Sequence, residues 1–302
     1  MVVGTRNPVL ADPGRVRGDR TLADLGGREA GLNLRVLTWN LFHGRDAPPG
    51  KFERGLDWRL GGRPLRSGDY VLVNRSLEDE FIRVLNGLEW DAALLQEVPP
   101  SWSGPLAEAT GATGSFAPTS RNWMRPVTGS LWARRPHLIG SWEGGGNLIL
   151  VRDGIELEPG SQGRRLLTGL PERRVVQSVR LSGGVDLYNL HASTGHGRAA
   201  GDVLTAATFA VGRSDSRPLV LGGDFNCRPS GGRPFPELAA RFGLSEPPSG
   251  MSGSIDHLLV RGLEVVEPPR LIPDRSREVA DMESGALIRL SDHPPVIGLF
   301  RA

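Results

Sequence analysis

Polar side chains that handle protons or hard cations stand where apolar runs of this sequence end. Asn40 closes LRVLTWN, Glu97 closes DAALLQE and His191 closes VDLYNLH; Asp224 and Asn226 follow PLVLGG, and Asp292 and His293 precede PPVIGLF. A carboxylate just beyond a buried apolar run has reached a sheet edge, where it must be hydrated, paired or metal-bound. A single Asp or Asn among them reads as a turn or cap residue. Several at strand ends imply one shared site. Oxygen donors from Glu, Asp and Asn, in a chain whose one cysteine is Cys227, favour Mg²⁺ or Mn²⁺ over Zn²⁺. Mg²⁺ keeps several waters and completes its shell with substrate phosphate, so the chemistry expected is that of phosphoryl esters.

A second theme is imidazole. His293 can be oriented and kept basic by a carboxylate such as Asp256 of SIDHLLV, which leaves its other nitrogen for an attacking water. His191 is a further imidazole at a strand end. His137, His196 and His257 read as satisfied structural residues.

The elements that must position these groups follow from the apolar pattern. Strands are expected at 34–41, 91–98, 147–152, 174–181, 185–191, 218–223, 255–260 and 295–300. Ser182-Gly183-Gly184 suits a hairpin between the fourth and fifth of these. The spacing of Leu77, Phe81, Leu85 and Leu88 predicts an amphipathic helix after Ser76, and helices are also expected at 198–212 and 235–242. The polar stretch 44–75 reads as an insertion or long surface loop, and residues 1–32 as a loosely packed tail before a single domain at 33–302. Hairpins mixed with helical crossovers imply packed sheets flanked by helices.

Composition bounds the class. With 302 residues, 38% hydrophobic and 23% charged, the chain can bury a large core, and one cysteine excludes an internal disulfide. No apolar run is long enough for a bilayer span and the first residues lack a signal-peptide core, so a cytoplasmic location, no stable membrane association and a monomer are the expectations. Net charge is +2, with almost every basic residue an arginine, and decides little about partners.

Taken together, TWNLFHG, LLQEV, YNLHAS, GGDFN, SIDHLLV and LSDHPPV resemble, in order and over residues 34–301, the motifs of the endonuclease/exonuclease/phosphatase superfamily, the group of deoxyribonuclease I. The resemblance implies an α/β (α+β) fold, a four-layered sandwich of two mainly antiparallel β-sheets flanked by helices, with the site at one end. It implies Glu97 as main metal ligand with Asn40 and Asp292 beside it, and Asp224 and Asn226 as the pair orienting water and phosphate. It further implies His293 with Asp256 as an imidazole–carboxylate dyad and His191 as general acid, for which Glu143 is a candidate partner. Whether Asp224 or His293 activates water stays open.

The stretch 109–142 lacks Asp and Glu and interleaves Arg121, Arg125, Arg134 and Arg135 with Trp123, Trp132 and Trp142. Arginine for phosphates and tryptophan for unstacked bases suit nucleic acid, with Arg121, Trp123 and Arg125 as substrate contacts; packing of the sandwich edge is the alternative. The reading is a Mg²⁺-dependent phosphodiesterase, foremost a nuclease acting on DNA or RNA. The alternatives are a phosphomonoesterase or phospholipid or inositol-phosphate hydrolase of the same fold, and a catalytically silent nucleic-acid or protein binding module.

Overall fold

In the computed structural model the described residues are 31–60, 63–119, 135–139 and 144–302. Val36, Leu94, Leu187 and Val220 fall on one face of their strands and Leu37, Leu95, Tyr188 and Leu221 on the other, all of them buried. Strands apolar on both faces must be covered twice, and a layered sandwich covers them so.

The first sheet is built from β1 (Asn33–Asn40), β4 (Ala92–Val98), β5 (Ala112–Thr119), β6 (Gly145–Arg152), β12 (Glu264–Leu271) and β15 (Val296–Arg301), in the order β12-β15-β1-β4-β6-β5. The second contains β7 (Gly163–Thr168), β8 (Arg174–Arg180), β9 (Asp186–His191), β10 (Leu219–Asp224) and β11 (Asp256–Arg261), in the order β11-β10-β9-β8-β7. Within these two sheets every pairing is antiparallel except β1 with β4 and β9 with β10. Those two parallel pairs matter for the site, because parallel neighbours finish at the same edge.

Leu34, Val36, Leu94 and Ile149 of the first sheet meet Val179, Leu187, Val220 and Leu258 of the second in the middle of the sandwich. Outside the first sheet, Leu37, Trp39 and Leu95 pack on α2 (Glu78–Gly87) and α3 (Ser103–Thr110) through Phe81, Leu85 and Leu106. Outside the second, Val176, Leu190 and Leu221 pack on α5 (His196–Ser214) and α6 (Phe235–Phe242) through Ala199, Val203 and Leu238. Four layers result, and Leu32–Ala302 forms one compact unit. Among the described residues no helix is long and apolar enough to cross a membrane.

The stretch 44–75 is not a surface loop. It carries α1 (Leu56–Leu60), β2 (Leu65–Ser67) and β3 (Tyr70–Leu72), and these strands join β13 (Glu278–Ala280) and β14 (Leu287–Arg289) in a small third sheet, β13-β14-β3-β2. Strands of three residues leave too short an alternation to read. Asp46, at its start, is fully buried: its Oδ2 accepts the Val73 N–H at 2.9 Å, and its Oδ1 lies 2.8 Å from Nε2 of His137 on the single turn α4 (Pro136–Ile139).

Candidate active site

Period two carries the inter-sheet face from dry to polar as the strands approach one end. Along β1 it runs Leu34, Val36, Thr38, Asn40; along β9 Leu187, Asn189, His191; along β10 Val220, Gly222, Asp224. The middle tier locks the sheets together, since Gln96 Nε2 donates to Asn189 Oδ1 at 2.8 Å and Asn189 Nδ2 donates to the Leu95 carbonyl at 2.9 Å. Gly222 keeps the sheets close: a Cβ there would meet Leu94 Cδ1 at 2.7 Å.

Register then assembles the last tier. Asp224 is paired with His191 on the parallel neighbour β9 and with Asp256 on the antiparallel neighbour β11. His191 Nε2 lies 3.5 Å from Asp224 Oδ2 and 3.8 Å from Glu97 Oε1. Asn40 Nδ2 crosses from the first sheet to donate to Asp224 Oδ2 at 3.1 Å, and its Oδ1 accepts the Phe42 N–H at 2.9 Å. Asn226 fixes the other Asp224 oxygen through its backbone N–H at 2.9 Å and ties its side chain to the Ala192 carbonyl. His293 Nδ1 sits 2.7 Å from Asp256 Oδ2, and its Nε2 faces Asp292 Oδ1 at 3.8 Å. The loop bearing this imidazole is pinned by Trp39 Nε1, which donates to the His293 carbonyl at 2.8 Å, and by Ser291 Oγ, which donates to the Asn40 carbonyl at 2.6 Å.

The backbone here is unusual. Phe42, His43, Glu97, Asn226 and Ser291 all have φ between 49° and 59°, a left-handed region that such residues occupy at a cost. Glu97 lies where β4 slips against β6, and that irregularity turns its carboxylate out of the sheet.

Electrostatics divides the groups. Burial works against the Glu97 carboxylate, yet His43, His191, Arg174 and Arg45 overcome it and hold its pKa at about 2. Burial, then the Asp256 charge, pushes Asp224 up to about 7. Burial also opposes charge on His293, but Asp256, Asp224 and Asp292 raise it to about 10. His191 is held well below its ordinary value by burial and by Arg174, whose Nη1 stands 2.7 and 2.9 Å from the two ring nitrogens. His293 is thus the charged imidazole and His191 a neutral one.

The carboxylate oxygens gathered here suit a hard divalent cation: the buried Oδ1 of Asp256 has no hydrogen-bond partner among the described residues, and Asp224, Asp256 and His293 place one polar atom each within 4.8 Å of the others. Glu97 and Asp292 bring carboxylates to the same end, close enough for the Glu97 charge to help raise Asp292.

Asn40, Glu97, His191, Asp224, Asn226, Asp256, Asp292 and His293 therefore meet at one end of the sandwich. Arg121, Trp123 and Arg125, like Glu143, lie outside the described residues; among the described residues His191 faces Glu97 and Asp224. His257 packs between Phe225 and Phe235, with Nε2 3.2 Å from the Cys227 carbonyl, on the far face of β11. His43, which ends no apolar run, also belongs to the site: its Nε2 reaches Glu97 Oε2 at 3.1 Å and its Nδ1 lies 3.1 Å from the Gly144 carbonyl. Its signal was the Gly44 after it: φ is +71° there, and a Cβ would strike the Trp102 ring at 2.4 Å. Arg45 and Arg174 belong to the site as well.

A family model, the Endonuclease/Exonuclease/phosphatase family, matches residues 37–293. The chain belongs to that family. Its members are metal-dependent phosphoric ester hydrolases, and this chain is one of them. A solved endonuclease/exonuclease/phosphatase family protein from Bacteroides thetaiotaomicron is similar at a TM-score of 0.58 and 16% identity, covering 89% of this chain and 98% of that one. A mannosyl-6-phosphatase from the same organism gives 0.58 and 16% over 89% of this chain and 100% of its own. TDP2 from Caenorhabditis elegans gives 0.55 and 15% over 91% and 78%. At these identities the likeness is one of fold. No curated protein matches the chain.

Proposed function

We infer that the protein hydrolyses a phosphate ester seated between Glu97 and the His293–Asp256 pair, with Mg²⁺ or Mn²⁺ bound. The observation that carries this reading is the alignment of His191, Asp224 and Asp256 on adjacent strands, with His293 2.7 Å from Asp256. Glu97, Asp292 and Asn40 are the ligands we assign to the cation, which supplies charge for the phosphate oxygens. Asp224, raised to about 7, takes the proton of the attacking water, and Asn226 fixes the orientation of its carboxylate. His293, held as the imidazolium by Asp256, neutralises charge growing on the phosphate. His191 offers a hydrogen bond to the phosphate from the Glu97 side.

A compact phosphorylated substrate is favoured by a cavity of about 390 Å³ that opens beside Glu97 and His43. The nuclease reading is supported by the Arg and Trp interleaving of residues 121–135. One panel decides: p-nitrophenyl phosphate, bis(p-nitrophenyl) phosphate, hexose phosphates, plasmid DNA and RNA, each with Mg²⁺, Mn²⁺ or chelator. Metal-dependent turnover of the small esters alone supports the first reading, and cleavage of DNA or RNA the second. Full turnover in chelator overturns both.

A further inference from the structure

The cavity beside Glu97 gathers three guanidinium groups against two carboxylates. Arg45, Arg174 and Arg198 line it, against the carboxylates of Glu97 and Glu172. Glu172 is taken by Arg174 Nη2 at 2.5 Å. Glu97 Oε2 is met by His43 Nε2 at 3.1 Å. Arg45 and Arg198 have no ion pair among the described residues.

Two of these guanidinium groups, those of Arg45 and Arg174, are also held in place, while Arg198 is exposed at the start of α5. Arg45 stacks 3.8 Å over the Phe42 ring, and its Nε donates to the Phe42 carbonyl at 3.1 Å. Arg174 is 5% exposed, and its buried Nε has no hydrogen-bond partner among the described residues. A solvated arginine face has neither feature. A planar, fixed guanidinium with free N–H groups in a concavity is built for an oxyanion, which it binds bidentately.

We propose that Arg45, Arg174 and Arg198 form a subsite for a second phosphate group, carried by the leaving group of the ester that is hydrolysed. This rests on the reading of the site given above. The scissile phosphate lies on the side of the acidic cluster, where a cation offsets the carboxylates, and the second phosphate at the arginine end, where no cation is required.

The test compares esters with one and two phosphates: a hexose monophosphate against a hexose bisphosphate, and thymidine 5′-phosphate against its 3′,5′-bisphosphate. The parent enzyme has a kcat/KM for the two-phosphate member of at least one pair about tenfold or more above its partner, the discrimination expected of one charge-assisted hydrogen bond. Which pair shows it tells a sugar from a nucleoside leaving group. Arg198→Ala lowers that ratio about tenfold, chiefly through KM, and Arg198→Lys restores part of it. On metal-free protein, inorganic phosphate raises the melting temperature less in Arg198→Ala than in the parent. Equal efficiency on both members of both pairs, or a ratio unmoved in both variants, overturns the subsite and leaves the catalytic reading standing. No hydrolysis of any ester with either metal overturns that reading instead, and the phosphate-dependent melting then decides the subsite alone.

Discussion

Asp256 Oδ2 fixes Nδ1 of His293 and so sets both the tautomer and the charge of the ring. His293→Ala is expected to lower turnover by roughly a hundredfold to ten-thousandfold. Asp256→Asn brings a smaller, parallel loss, and the double variant is little worse than His293→Ala, because groups acting as a unit are non-additive. Single-turnover rates on folded protein check this, and multiplicative losses would count against the pair. Asp224 makes a separate prediction in the metal-free protein. Its folded pKa of about 7 exceeds the 3.8 of an unperturbed carboxyl, so between those values the unfolded chain releases a proton that the folded chain keeps. Its contribution is full below that window and is lost as pH rises through it. Metal-free Asp224→Asn should therefore melt above the parent at about pH 8, with the gap closing toward pH 4, as scanning calorimetry would show. A lower melting point at pH 8 would mean that the carboxylate is structural. The sequence exposed these residues because each borders an apolar run. His43 stayed hidden, since it follows Asn40 in a loop and only the Gly44 after it marks the left-handed backbone on which its role depends.

Among the elements, the loop after β1 depends on Asp46, which ties it to β3 through the Val73 N–H and to α4 through His137. Asp46→Ala removes one member of a buried pair and is expected to cost about 3 kcal/mol, read from urea unfolding, with a fall in turnover as His43 loses its support. A change under about 0.5 kcal/mol would show that the loop stands without it. Gly223 is the stricter case, with φ at 135° and a would-be Cβ 1.9 Å from the Leu190 carbonyl oxygen. Gly223→Ala is expected to destabilise by at least ~2 kcal/mol and to displace Asp224 with it. Wild-type stability and activity would refute the close approach. Central strands were legible because both faces are apolar. β7 and β12 were not, for they lie at sheet edges with mostly exposed side chains, and Pro268-Pro269 interrupts β12. α3 was hidden by its weakly amphipathic sequence, SGPLAEAT.

For the molecule as a whole, the four layers exist to bring two half-sites together. Chelator is expected to abolish turnover, and Mg²⁺ at a hundred times its dissociation constant should stabilise the fold by about 2.7 kcal/mol, visible as a higher melting temperature. No shift with either Mg²⁺ or Mn²⁺ would remove the cation from this site. The layer order was legible in the mixture of hairpins and crossovers, whereas the third sheet was not, because its strands are too short to carry a period. One consequence concerns the timing of synthesis. The polar tier of Gln96 and Asn189 joins a sheet that supplies Asn40 and Glu97 to one that supplies His191, Asp224 and Asp256, and the imidazole of His293 arrives last in chain order. Neither sheet alone carries all the groups proposed for the reaction. On the proposed assignment of these residues, a growing chain is expected to stay chemically silent until residue 293 has emerged and the layers have closed, so hydrolytic power would be withheld from a half-made copy.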